Sequence, residues 1–301
     1  MFRNNLLSIL NISTEKQSIL FDLANHGDSL FLEYRHALDG KVLGSLFFQP
    51  STRTQFSFQS AFVRLGGQYI GCSDIKETRS GPPYYEPICD LGAILSNYCD
   101  IIVMRTIDDV QTEQLAQGTR VPLISAGSGN VEHPTQALTD FYTISQTLGR
   151  LTGHEILIIG TPRQRTINSF IKGLSAWGEN HFHILCQAGI EVPPEVVDHL
   201  QTSKITYYHS WESIWESSIA DRIDILYIDK IFNETHPRTD FIPVEKDFIS
   251  HISPEAIILH PLPRTAELPR FMDSLRGAYY FRQAKNGLYI RAALFLSYLV
   301  L

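Results

Sequence analysis

No run of about 18 consecutive apolar residues occurs in the sequence, so no membrane-spanning helix is expected. Basic residues are in the minority: 25 Lys and Arg against 32 Asp and Glu leave a formal net charge of −7. Nothing in that balance marks a partner of nucleic acid or of an anionic membrane, although a local basic pocket for a small anion stays compatible with it. Cysteine is scarce. Cys72, Cys89, Cys99 and Cys186 are spaced for neither a paired metal knuckle nor a disulfide framework, and reduced thiols of a cytoplasmic protein are the expectation. The stretch MFRNNLLSILNISTEK has only a short apolar run, broken by Asn11, with no small-residue cleavage site after it, so no signal peptide is expected. Internal repeats, low-complexity tracts and Pro/Ser-rich linkers are all missing.

What is present is apolar material for two ordinary domains: 44% hydrophobic and 19% charged residues over 301 positions. Short β-rich runs alternate with helical stretches throughout. The expected strands are Lys41–Phe48, Gln68–Gly71, Ile101–Arg105, Pro122–Ser125, Glu155–Gly160, His181–Cys186, Lys204–His209, Ile223–Ile228, Ala256–His260 and Tyr279–Phe281. Phe58, Ala61, Phe62 and Leu65 share one helical face. The runs IIVM, ILIIG and DILYI are continuously apolar, as strands covered on both faces are. The pattern predicts an α/β fold of two doubly wound domains, each with a central parallel sheet flanked by helices, and an active-site cleft between them. The break is expected near Gly149–Gly153, giving domains 1–150 and 151–286. Gly287–Leu301, with Leu288, Ala292, Phe295, Leu296 and Leu299 at helical spacing, is expected as a buried helix packing back on the first domain.

Four segments carry candidate chemistry. In FFQPSTRTQFSFQSAFVRLGG a strand ends and Ser51, Thr52, Arg53 and Thr54 stand where a helix begins. Unpaired N–H groups, hydroxyls and a guanidinium there suit a phosphate, though a plain Ser/Thr cap beside a surface arginine explains the same residues. Arg105 closes the strand IIVMR, at the strand end where open α/β sheets bind ligands. His133 precedes Pro134, which starts a helix and puts Gln136 about one turn along it. HPLPR, His260 to Arg264, is a loop stiffened by Pro261 and Pro263 that leaves the Leu262 carbonyl available as an acceptor. The strand–turn–helix ILIIGTPRQRTINSF lacks GxGxxG, which argues against a dinucleotide site.

In this order and at these intervals, STRT, VMR, HPTQ and HPLPR resemble the aspartate/ornithine carbamoyltransferase family. LISAGSG, DILYI, HPLPRTAEL and QAKNGLYIRAALF are similar to its aspartate branch. The resemblance runs over nearly the whole chain. It implies a transferase moving the carbamoyl group from carbamoyl phosphate to the α-amino group of L-aspartate, giving N-carbamoyl-L-aspartate and phosphate in pyrimidine biosynthesis. Carried onto this chain, it implies that Ser51, Thr52, Arg53 and Thr54 cradle the phosphate. Arg105, His133 and Thr54 would bind the carbonyl oxygen, and Gln136 with the Leu262–Pro263 turn would hold the carbamoyl amine. Arg53, Thr54, Arg105 and His133 are thus the implied catalytic group. Oxyanion donors and orientation are what attack by a neutral amine needs; no metal, cofactor or protein nucleophile is implied. A homotrimer with shared active sites is implied as well, and whether a regulatory or dihydroorotase partner joins it is left open.

On the acceptor side, Arg165 matches the family arginine for the aspartate α-carboxylate. The segment TRSGPPYYEPICD aligns Ser80 with a loop serine offered to a neighbouring subunit, but Tyr84 stands where that loop carries a lysine. A tyrosine offers one neutral donor in place of a mobile charge. In IDKIFNETHPRTD, Thr235 falls where an arginine for the side-chain carboxylate is usual, with Lys230 and Arg238 as candidate replacements. Gln49 and Gln55 stand where a Glu and an Arg are common. These departures keep two alternatives in view: a different amine acceptor, or a non-catalytic paralogue.

Overall fold

In this computed structural model, which describes residues 5–230 and 244–301, the strands are β1 (Val42–Phe47), β2 (Gln68–Cys72), β3 (Ile101–Thr106), β4 (Leu123–Ser128), β5 (Glu155–Ile159), β6 (His181–Leu185), β7 (Lys204–Tyr208), β8 (Ile225–Ile228) and β9 (Ile257–Leu259). They form two parallel sheets, in the orders β2-β1-β3-β4 and β7-β6-β5-β8-β9. Ile101 to Met104 and Ile156 to Ile159 are buried at every position, because helices close both faces of these strands and leave no solvent-facing alternation. The chain divides into two compact units, Met1–Thr139 with Lys285–Leu301, and Asp140–Ala284.

In the first unit, the helix Thr52–Arg64 follows β1 and buries Phe58, Ala61 and Phe62. Phe295, on the helix Tyr280–Leu299, meets Phe62 and Phe58 edge-on, with ring centroids 4.8 and 5.8 Å apart. Edge-to-face pairs add modestly to the burial of three large rings. On another face of the sheet, Leu46, Phe48, Ile102, Met104, Leu115 and Leu123 form an apolar cluster. In the second unit, Leu157, Ile159, Leu226, Ile228 and Ile258 pack with Trp211 and Phe248. The helix Arg165–Ser175 sets Phe170 against Tyr227, centroids 4.5 Å apart.

Two expectations are corrected. Tyr279–Phe281 is not a strand. Ala278 makes a single parallel bridge to Ile258, the Tyr279 N–H donates to the Ile258 carbonyl, and the chain turns into helix at Tyr280. The same turn starts the closing helix seven residues before Gly287, because Tyr280 and Gln283 are buried and extend its packed face. The four cysteines are free, and burial pushes the thiols of Cys72, Cys99 and Cys186 up to about 11, which keeps them protonated and inert. Among the described residues no helix is long and apolar enough to cross a membrane.

Candidate active site

In each sheet the strand order reverses once; Arg105 and the Ser51–Thr54 turn stand at the first reversal, and Arg165 at the second. In the first sheet the chain leaves β1 for β2 on one side, then crosses to β3 and β4 on the other. The crevice outside the carboxyl ends of β1 and β3 is such a reversal point, the usual place for a ligand in an open α/β sheet. Phe47 and Arg105 are register partners there. The Phe48 N–H donates to the Arg105 carbonyl at 2.9 Å, which pins the turn into the next helix onto β3.

Ser51 is the N-cap of the helix Thr52–Arg64, in an extended conformation, and its hydroxyl makes no capping hydrogen bond. The first-turn N–H groups, which have no partner within a helix, are therefore not taken up by this side chain. Thr52 and Arg53 are exposed and Thr54 is buried one residue on, so this turn presents backbone donors, hydroxyls and a guanidinium together. Desolvation lowers the Arg53 pKa, yet a guanidinium stays charged.

The Arg105 Nε donates to Gln49 Oε1 at 3.1 Å and its Nη1 to the Ala126 carbonyl at 3.3 Å, with His133 Nε2 at 3.5 Å from the same Nη1. Gln49 thus helps to fix the arginine. His133 is buried at the entry to the helix Pro134–Leu148, and its carbonyl accepts from the Gln136 N–H at 3.0 Å. The loop before it depends on Gly129, whose φ is +43° and where an added Cβ would lie 1.6 Å from Asp109 Oδ1. That close approach lets Asp109 accept from the Asn130 N–H at 2.8 Å.

The second sheet reverses between β5 and β8. Arg165 is the first residue of the helix that follows β5, with Gln164 as N-cap. Next to it, the Thr166 hydroxyl donates to the carboxylate of Asp229, the buried residue that follows β8. Burial pushes the Asp229 carboxyl up, and the Thr166 bond opposes it. Lys230 donates its N–H to Asp229 Oδ1. Arg238 and Thr235 lie outside the described residues.

After β9 the HPLPR turn hangs on a buried network. The His260 N–H donates to Gln283 Oε1, and Gln283 Nε2 donates to Asp140 Oδ1, whose other oxygen accepts from the Tyr227 hydroxyl at 3.0 Å. His260 Nδ1 accepts from the Leu262 N–H at 2.8 Å, so its Nε2 carries the proton given to Glu267, 3.1 Å away. Leu262 is thereby held at a φ of +55°, a left-handed conformation that a branched side chain rarely adopts. Burial would raise the Glu267 pKa, but hydrogen bonds from His260 and from the Thr265 hydroxyl and N–H bring it down to about 2. The sequence reading passed over Asp229 and Glu267. An acid directly after an apolar strand, and one seven residues beyond a histidine in a Pro-rich turn, were the available signals.

Ser80 is buried within its own chain, and its hydroxyl has no hydrogen-bond partner. Tyr84 is exposed, as is its neighbour Tyr85, and the Arg79 guanidinium lies 4.2 Å from the Tyr84 ring centroid. Gln55 is turned inward, donating to the Ser73 hydroxyl at 3.0 Å.

Comparison with known proteins identifies the family. Residues 4–146 match the model of the aspartate/ornithine carbamoyltransferase carbamoyl-P binding domain, and residues 152–298 that of the Asp/Orn binding domain. The aspartate carbamoyltransferase catalytic subunit of Clostridium kluyveri is 34% identical, over 98% of this chain and 97% of that protein. Aspartate transcarbamoylase from Trypanosoma cruzi, solved in complex with carbamoyl phosphate and aspartate, superposes with a TM-score of 0.88 at 27% identity, covering 99% of this chain and 97% of that one. The catalytic subunit of Methanocaldococcus jannaschii aspartate transcarbamoylase gives a TM-score of 0.85 at 29% identity, over 98% and 97% of the two chains. Two matched domain models spanning nearly all of the sequence, and a relative above 30% identity over almost its full length, make this chain a member of the aspartate/ornithine carbamoyltransferase family.

Proposed function

We propose that the protein transfers the carbamoyl group of carbamoyl phosphate to the α-amino group of L-aspartate, releasing phosphate and N-carbamoyl-L-aspartate for pyrimidine biosynthesis. The observation that carries this reading is the fixed guanidinium of Arg105, held by Gln49 and the Ala126 carbonyl within 3.5 Å of His133, at the reversal point where the helix bearing Ser51 to Thr54 begins. Charge grows on the carbonyl oxygen as the amine adds, and donors placed in advance stabilise it without reorganising. In this reading Arg105, His133 and Thr54 supply those donors, while Ser51, Thr52, Arg53 and the helix N-terminus hold the phosphate as it leaves. Gln136 and the Leu262–Pro263 turn orient the carbamoyl amine, and the phosphate accepts the proton shed by the aspartate nitrogen. Arg165 takes the α-carboxylate, and Lys230, Arg238, Ser80 and Tyr84 are the candidates for the rest of the acceptor. The proposal includes a cytoplasmic homotrimer with shared sites.

A second reading, transfer to another amine, is favoured by one observation: Tyr84, which the resemblance sets where a loop lysine is usual, is exposed with Arg79 over its ring. Phosphate release measured with carbamoyl phosphate and a panel of amines separates the readings. Release with aspartate supports the first, release with another amine alone supports the second, and release with none identifies a non-catalytic paralogue. For the donor site, Arg53→Ala is expected to weaken carbamoyl phosphate binding about 10- to 100-fold in calorimetry, the worth of one or two charge-assisted hydrogen bonds. An unchanged affinity removes Arg53 from the site.

A further inference from the structure

We propose that Glu155, His181 and His183, at the end of the second sheet away from Arg165 and Asp229, form a binding site for a borderline divalent cation of the zinc class. Nothing in the proposed reaction uses these residues, and the inference does not rest on that reading. Glu155 and His181 begin β5 and β6 and are register partners; His183 lies two residues on, so all three share one face of the sheet. In a parallel sheet this is the amino-terminal end, whereas Arg165, Asp229 and the HPLPR turn follow carboxyl ends.

The donor set is two imidazoles and one carboxylate, with one ligand atom from each lying within 4.8 Å of the other two. This is a set zinc favours, and it leaves a fourth position for water. A tetrahedral ion with bonds of about 2.0–2.2 Å needs its donors about 3.3 Å apart. His181 Nδ1 and Glu155 Oε2 are already 3.2 Å apart, and His183 Nε2 is 2.5 Å from the same oxygen. A small swing of the Glu155 side chain, which is 30% accessible, opens the second separation.

The outer nitrogens strengthen the case. His181 Nε2 is 2.9 Å from the Thr206 hydroxyl and His183 Nδ1 is 3.2 Å from that of Tyr208, both on β7. A hydroxyl donates or accepts equally well. Both rings can therefore change tautomer, turning their inner lone pairs to a cation and giving their outer protons to Thr206 and Tyr208, with no outer hydrogen bond lost. Partners of this kind fix the orientation of ligating histidines and raise their basicity. Rigid strands carry all the groups, and His181, 31% accessible, leaves the site open to solvent.

The test is a calorimetric titration of the full chain, freed of metal by chelator, with Zn2+, alongside Co2+ absorption spectra. One Zn2+ per chain with micromolar or tighter affinity, an intense tetrahedral Co2+ band and a melting temperature that rises with Zn2+ are expected. His181→Ala and Glu155→Gln, both at partly exposed positions, should fold, weaken binding at least tenfold and abolish the melting shift. No stoichiometric uptake by the unaltered chain, leaving a hydrogen-bonded trio only, overturns the proposal. Uptake that both variants retain in full overturns it as well, since the ion then sits elsewhere.

Discussion

Replacing Arg105 with alanine is expected to lower kcat for phosphate release from carbamoyl phosphate and aspartate about a thousandfold, the upper range for losing one oxyanion donor. The loss exceeds that of an ordinary surface arginine because this side chain is held at three points: Gln49, the Ala126 carbonyl and the edge of His133. A donor fixed before the substrate arrives needs no reorganisation as charge develops. Arg105→Lys is expected to recover little, since an ammonium cannot donate to Gln49 and the Ala126 carbonyl while also facing the substrate in a fork geometry. Steady-state kinetics on both variants, with melting curves to establish that they fold, check this. A kcat near that of the unaltered enzyme for Arg105→Ala removes the residue from the reaction.

Glu267→Ala is expected to destabilise the second unit by about 3 kcal/mol at neutral pH, the cost of stranding donors that converge on a buried carboxylate. His260 and both donors of Thr265 lose their acceptor together. The pH dependence follows from the direction of the shift. The Glu267 pKa falls from an ordinary 4.5 to about 2 in the folded chain. A carboxylate with a depressed folded pKa contributes stability in full above its unfolded value, and that contribution fades as the pH drops from about 4.5 toward about 2. The shift corresponds to about 3 kcal/mol. Urea unfolding at pH 7 and pH 3 should show the unaltered chain losing stability on acidification and Glu267→Gln losing less of it. Parallel pH dependences in the two would rule out Glu267 as the titrating group.

The sheets were legible because burial on two faces leaves a simple trace. Strands such as Ile101–Thr106 and Ile225–Ile228 have nothing to alternate with, and their apolar runs stand out. The placement of the STRT, VMR, HPTQ and HPLPR segments was legible for a related reason: each sits at or directly after a strand end or at a helix start, and strand ends and helix starts leave local marks in the sequence. Tyr279–Phe281 misled because aromatic residues favour strands, whereas one bridge to Ile258 and the burial of Tyr280 decide for helix. The roles of Gln49 and Glu267 were out of reach, since both act on partners brought close by the fold: Gln49 on Arg105, 56 positions away, and Glu267 on a turn whose conformation no periodicity reveals. Thr235 and Arg238 lie outside the described residues, and the amine panel addresses Tyr84.

Lys285–Leu301 belongs to the first unit although the whole of Asp140–Ala284 is made before it. During synthesis, Phe58 and Phe62 must wait, uncovered, until Phe295 leaves the ribosome to close over them. The nascent protein therefore carries an open greasy face through roughly the second half of its translation, a period in which chaperone capture competes with sticking to its neighbours. A stop codon that removes only this closing stretch would strike at the half of the enzyme that was made first.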